Sequence, residues 1–127
     1  MEEDLRAHLA ADANLSSLVA DRIQWAVRES APSLALHLIG APTDRHLKGK
    51  SGLVQARVQM DAWAPTFLAA KAIGEAAVAA LPSIGQVVGG TKFLTCVDGD
   101  TERGRYGDAP NILHRTRIDV RVSFRPA

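Results

Sequence analysis

GLVQARVQMDAW, residues 52–63, is the stretch whose reading decides the fold. At a period of two it sorts Val54, Ala56, Val58, Met60 and Ala62 to one side. Gln55, Arg57, Gln59 and Asp61 fall on the other, with Leu53 and Trp63 at the ends. Successive side chains of a strand point to opposite faces, so the pattern predicts a strand with one dry and one polar face. The dry face needs a second layer, and the residues after Trp63 provide one. In PTFLAAKAIGEAAVAALP the period lengthens, and Phe67, Ala70, Ile73 or Gly74, Ala77 and Leu81 share a stripe at helical spacing. Thr66 caps a helix over about 66–81, and Pro82 stops it. The alanines and the glycine of the stripe permit a close approach to the sheet.

The clearest strand lies at the far end of the chain. In NILHRTRIDVRVSF, Thr116, Ile118, Val120, Val122 and Phe124 alternate with Arg115, Arg117, Asp119, Arg121, Ser123 and Arg125. Before it, IGQVV, a Gly89-Gly90 turn and TKFLTCV read as a hairpin. Asp98-Gly99 is expected to be a bulge within one long strand that reaches Tyr106 and reverses at 107–111. Towards the N-terminus, residues 2–11 read as a helix with Glu2, Glu3 and Asp4 at the positive end of its dipole. Asn14 is expected to cap a second short helical turn holding Leu15, Leu18 and Val19. RIQWAV (22–27) and SLALHLIG (33–40) read as strands. Between 41 and 52 lies a polar loop with Asp44, Arg45, His46, Lys48 and Lys50, of the length that is commonly functional or solvated. These elements predict one α+β domain over 1–127: a largely antiparallel sheet with an N-terminal helix and one main helix on one face.

With 127 residues, 46% hydrophobic and 23% charged, the chain has the make-up of a globular domain large enough for a real core. No apolar run approaches the roughly 20 residues needed to span a bilayer, so no membrane partner is expected. The acidic start lacks the basic and apolar regions of a signal peptide, and one cysteine, Cys96, allows no internal disulfide. Folding in the cytoplasm is the expectation. The net charge of +1 conceals an acidic first quarter and an arginine-rich last quarter, ends that can meet within one copy or between copies.

The tools of an enzyme are sparse. His8, His37, His46 and His114 show no metal-ligand spacing, and His37, inside an alternating strand, reads as packed or hydrogen-bonded. Cys96 reads as a small buried hydrophobe. Asp98, Asp100 and Glu102 lack the spacing of a calcium loop and read as solvated acids. GKSG lacks the upstream glycine of a phosphate loop. No catalytic residue, metal ligand or cofactor site is assigned, and the chain is expected not to be an enzyme.

The arginine row leaves three readings open. Residues two apart on a strand are separated by about 6.6–6.8 Å, comparable to the phosphate spacing of a single nucleic-acid strand. Arg115, Arg117, Arg121 and Arg125 can therefore track a backbone, although Asp119 interrupts them and no aromatic is expected on their face. Equally, they can be solvated, or can pair through bidentate contacts with acids of a neighbouring subunit, such as Glu2, Glu3 and Asp4.

Taken in order, EEDLRAHLAADANLSSLVADRI, SGLVQARVQMDAWAPTFLAAKAIGEAAVAAL, the VGG hairpin and HRTRIDVRVSFRP resemble one family along essentially the whole chain. It is the tail-completion family of tailed bacteriophages and gene transfer agents, the tail-terminator or tail-to-head joining proteins. Asp61, Ala62, Trp63 and Thr66 match the strand end and helix start of that family, and Ala20–Ile23 match its ADRI segment. The strand at 33–40 departs from it, with PSLALHLIG where an aromatic-containing strand is usual. The resemblance implies a structural protein that caps the completed tail tube as a ring, commonly a hexamer, and forms the head–tail joint. Its implied partners are itself, the tail tube protein, a head connector, and DNA passing through the channel without sequence specificity. Its implied place is the neck of the virion, after assembly in the bacterial cytoplasm. Arg57, Arg115, Arg117 and Arg121 are then expected at subunit or channel contacts with Glu2, Glu3 and Asp4, and the loop residues Asp44, Arg45, His46, Lys48 and Lys50 at docking contacts. The alternatives are a head-completion adaptor at the neck and a small nucleic-acid-binding module using the C-terminal arginines.

Overall fold

The computed structural model describes residues 1–39, 53–107 and 111–127. Two short helices open the chain, α1 (Glu2–Ala10) and α2 (Ala13–Val19), followed by β1 (Ile23–Trp25) and β2 (Ser33–Ile39). Then come β3 (Val54–Ala64), α3 (Phe67–Ala79), β4 (Gln86–Val88), β5 (Thr91–Tyr106) and β6 (Leu113–Pro126). The architecture is α+β, and the six strands form one sheet in the order β1-β2-β3-β6-β5-β4. Every neighbouring pair is antiparallel except β1 and β2, whose parallel pairing was not expected from the sequence.

The sheet curls around its helices. Helix α1 touches both β1 and β4, the outermost strands, which only a curled sheet permits. Two hydrogen bonds fix the helix there: Trp25 Nε1 donates to the Glu2 carbonyl at 2.7 Å, and Thr91 Oγ1 donates to Asp4 Oδ2 at 2.6 Å. Inside the curl, Leu5 and Leu9 of α1 and Leu15 and Val19 of α2 meet Leu34, Leu36, Val58, Met60, Phe93, Ile118, Val120 and Val122 of the strands. Burying such side chains contributes roughly 1.5–3 kcal/mol each, so this cluster is the main source of stability.

The alternation of β3 and β6 appears in the fold as read: Val54, Ala56, Val58, Met60 and Ala62 are buried, as are Thr116, Ile118, Val120 and Val122. Helix α3 covers them through Ala70, Ile73, Gly74, Ala76 and Ala77. A Cβ on Gly74 would stand 2.9 Å from Thr116 Cγ2, so glycine sets how closely α3 approaches β6. Two details of the stripe differ from expectation. Phe67 is 46% exposed at the helix start, and the helix ends at Ala79, before Leu81. Thr66 does cap it, accepting from Ala69 N at 3.1 Å. The cap of α2 is Asp12, not Asn14: the Asp12 carboxylate accepts from Leu15 N at 2.9 Å, because only a residue preceding the first turn faces its free amides. The bulge expected at Asp98-Gly99 is present as a register shift between Asp98 and Thr101.

Candidate functional site

The convex face of the sheet, opposite the helices, carries the polar half of every alternating strand. Register aligns these residues into rows. Arg57 stands beside Arg121, Gln59 beside Asp119, Asp61 beside Arg117, and Trp63 beside Arg115. The rows continue outward: Ile39, Arg57, Arg121 and Val97 form one, and Ala35, Asp61, Arg117 and Glu102 another. The arginine row of β6 thus becomes a two-strand patch with Arg57.

Part of this face is dry. Asp61 is only 4% exposed, held by Gln59 Nε2, which donates to its two carboxylate oxygens at 2.9 and 3.0 Å. His37 Nε2 lies 3.5 Å from Asp61 Oδ2. Alternation places Asp61 on the polar face correctly. Its burial arises from neighbours on β2 and β3 that no single-strand pattern contains.

At the Trp63 end the face holds a cluster that the sequence reading missed. The expectation that no aromatic shares the face of the arginines is corrected by the register, which sets Trp63 opposite Arg115. The Trp63 and Tyr106 rings pack on each other with centres 5.5 Å apart. The Arg115 guanidinium sits against both, 5.6 Å from the centre of Trp63 and 4.7 Å from that of Tyr106, with Nη2 donating to the Tyr106 hydroxyl at 2.7 Å. Arg28 also lies over Trp63, at 4.8 Å from the ring centre. Gly104 makes room for the Tyr106 ring, whose atoms stand 2.7 Å from where a Cβ would be. A tryptophan at the wet end of an alternating strand, and a glycine two residues before a tyrosine, were the available signals.

The expected contact residues separate by how they are held. Arg115 is committed to the aromatic cluster. Arg57 and Arg121 are exposed and Arg117 half-buried, and none of the three makes a side-chain hydrogen bond or ion pair among the described residues. On α1, Asp4 is committed to Thr91, while Glu3 pairs with Arg6 on the surface. The hydrogen bonds from Arg6 hold the Glu3 carboxyl below the usual range. Glu2 is exposed. Asp44, Arg45, His46, Lys48 and Lys50 lie outside the described residues. Asp98, Asp100 and Glu102 are exposed along β5, and among the described residues no three histidine, cysteine or acidic side chains converge to hold a metal ion. Such a face is equipped for contact with a charged surface.

Residues 3–125 match the family described as tail completion protein gp17. The chain belongs to the tail completion protein family. It is therefore a structural protein of a phage-type tail. The fold is similar to that of a chain in the virion of a native gene transfer agent particle, with a TM-score of 0.75 and 17% identity, over 98% of this chain and 94% of the other. No curated protein matches the sequence.

Proposed function

We propose that this tail completion protein forms a closed ring on the end of the finished tail tube and provides the surface on which the head docks. The observation that carries the reading is the convex sheet face, where Arg57, Arg117 and Arg121 stand without a side-chain partner among the described residues while Asp98, Asp100 and Glu102 line the neighbouring strand. A ring of identical copies uses head-to-tail contacts between two different edges of the chain. Here acids on the outer strand β5 and Arg57 further in on β3 lie toward opposite edges of the sheet. The remaining arginines line the channel and favour passage of the phosphate backbone without reading sequence. Its partners are then other copies of itself in a hexameric ring, the tail tube protein, the head connector and DNA. Its place is the neck of the virion, reached after assembly in the bacterial cytoplasm.

Electron microscopy of particles from a strain lacking this gene tests the reading. Filled heads beside unattached tails of irregular or excessive length are expected. Tails of normal length that fail to join would favour a head-completion adaptor instead, and intact particles would reject both.

A further inference from the structure

Both ends of the sheet's strand order are only partly covered. Strand β4 pairs with β5 over Thr91–Phe93 alone, so from Leu94 to Tyr106 the outer edge of β5 faces no strand among the described residues. Strand β1 pairs with β2 over Leu34–Leu36, which leaves His37–Ile39 open in the same sense. An open edge presents unpaired N–H and C=O groups and is ordinarily covered or blunted.

We propose that neighbouring copies join edge to edge, β5 around Val97 and Asp98 in one copy pairing with His37–Ile39 of β2 in the next, the level at which both edges are open. Three observations converge on a second copy of this chain as the occupant. First, the two edges share a level: the row that starts at Ile39 runs through Arg57 and Arg121 to Val97. Second, the directions agree. Strands β2, β3, β6 and β5 alternate in direction, so rotation about an axis along the strands sets β5 antiparallel to the next β2, the pairing that two strands favour. Third, the chemistry is complementary. Each edge exposes apolar surface at that level, Val97 at 56% and Ile39 at 38%. Beyond Val97 stand Asp98 and Asp100, and one strand in from Ile39 stands Arg57. The acids and the bulge keep β5 from pairing with an arbitrary strand and admit one flanked by positive charge.

The inference rests on the ring reading, and its test separates the two. In full-length protein carrying Cys96→Ser, Ile39→Cys and Val97→Cys are combined, oxidised and run without reductant, alone and on purified tail ends. Adjacent strands bring Cα atoms within the span of a disulfide. The pair is expected to give a ladder of covalent oligomers, and each single variant none beyond a dimer. Because Arg57, Asp98 and Asp100 also line one cleft within a single copy, the charge test is made in trans. Arg57→Asp alone is expected to lower the assembled fraction at least about tenfold, and mixing it with protein carrying Asp98→Arg and Asp100→Arg to restore it. Circular dichroism of the monomer checks that each variant folds. Rings seen by light scattering whose cysteine pair stays unlinked, with no rescue by the charge swap, would overturn the edge contact and leave the ring standing. A chain that stays monomeric both alone and on tail ends would overturn the ring and the edge contact with it.

Discussion

Asp61 shows how much one buried carboxylate can matter. It accepts two hydrogen bonds from Gln59 and faces His37, all within a part of the sheet that water reaches poorly. Asp61→Ala leaves the Gln59 amide without its acceptor and is expected to destabilise the protein by roughly 1–3 kcal/mol. A urea midpoint that falls with an unchanged slope would show it. Cys96 offers a test with a defined sign. Burial pushes its thiol up from 9.0 to about 11. Between those values the folded protein keeps a proton that the unfolded chain has lost, so unfolding releases it. Stability is therefore expected to fall as pH rises from about 9 to about 11 and to level beyond. Urea midpoints across that range, compared between the protein and Cys96→Ser, isolate the effect: the variant should lack this part of the slope. Equal slopes would mean that the thiol titrates alike in both states.

Among the elements, the β3–α3 pair carries the most information per residue. Its helix lies close because Gly74 faces Thr116 and Ile118. Gly74→Val forces a branched side chain into that contact and is expected to cost roughly 1–3 kcal/mol, more than any gain in helix propensity returns. Chemical denaturation reads the loss, and a variant as stable as the parent would show that the helix can shift at no cost. This pair, and the alternation of β6, were legible in the sequence because each pattern lies within a single element and answers to one period. The parallel pairing of β1 with β2 was not, since three residues carry no signal of direction. The Arg28–Trp63–Arg115–Tyr106 cluster was hidden for a related reason: its members come from four separate segments, three brought together by the register of β3, β5 and β6 and the fourth, Arg28, by the connection between β1 and β2. The candidate contact face was legible as an arginine row, but which arginines are held and which are open depended on those same neighbours.

At the scale of the whole molecule, the convex face is arranged at the expense of the single copy. Arg57 and Arg121 stand directly across from each other on adjacent strands. Like charges so placed destabilise a sheet, by roughly 0.2–1 kcal/mol for a pair. Asp98, Asp100 and Asp119, which line the same cleft without forming an ion pair with either arginine, offset part of that cost. A surface that served only the monomer would gain from losing one of them, whereas a surface that meets an acidic patch on a neighbour needs both. Arg121→Gln distinguishes these cases because it moves stability and assembly in opposite directions. The variant monomer is expected to be more stable than the parent by up to about 1 kcal/mol, with the gain shrinking as salt screens the repulsion. Its incorporation into particles, measured by complementing a deletion strain, is expected to fall. A variant that loses both stability and assembly would show that Arg121 holds the fold, and one that gains stability while assembling normally would place the contact on another face.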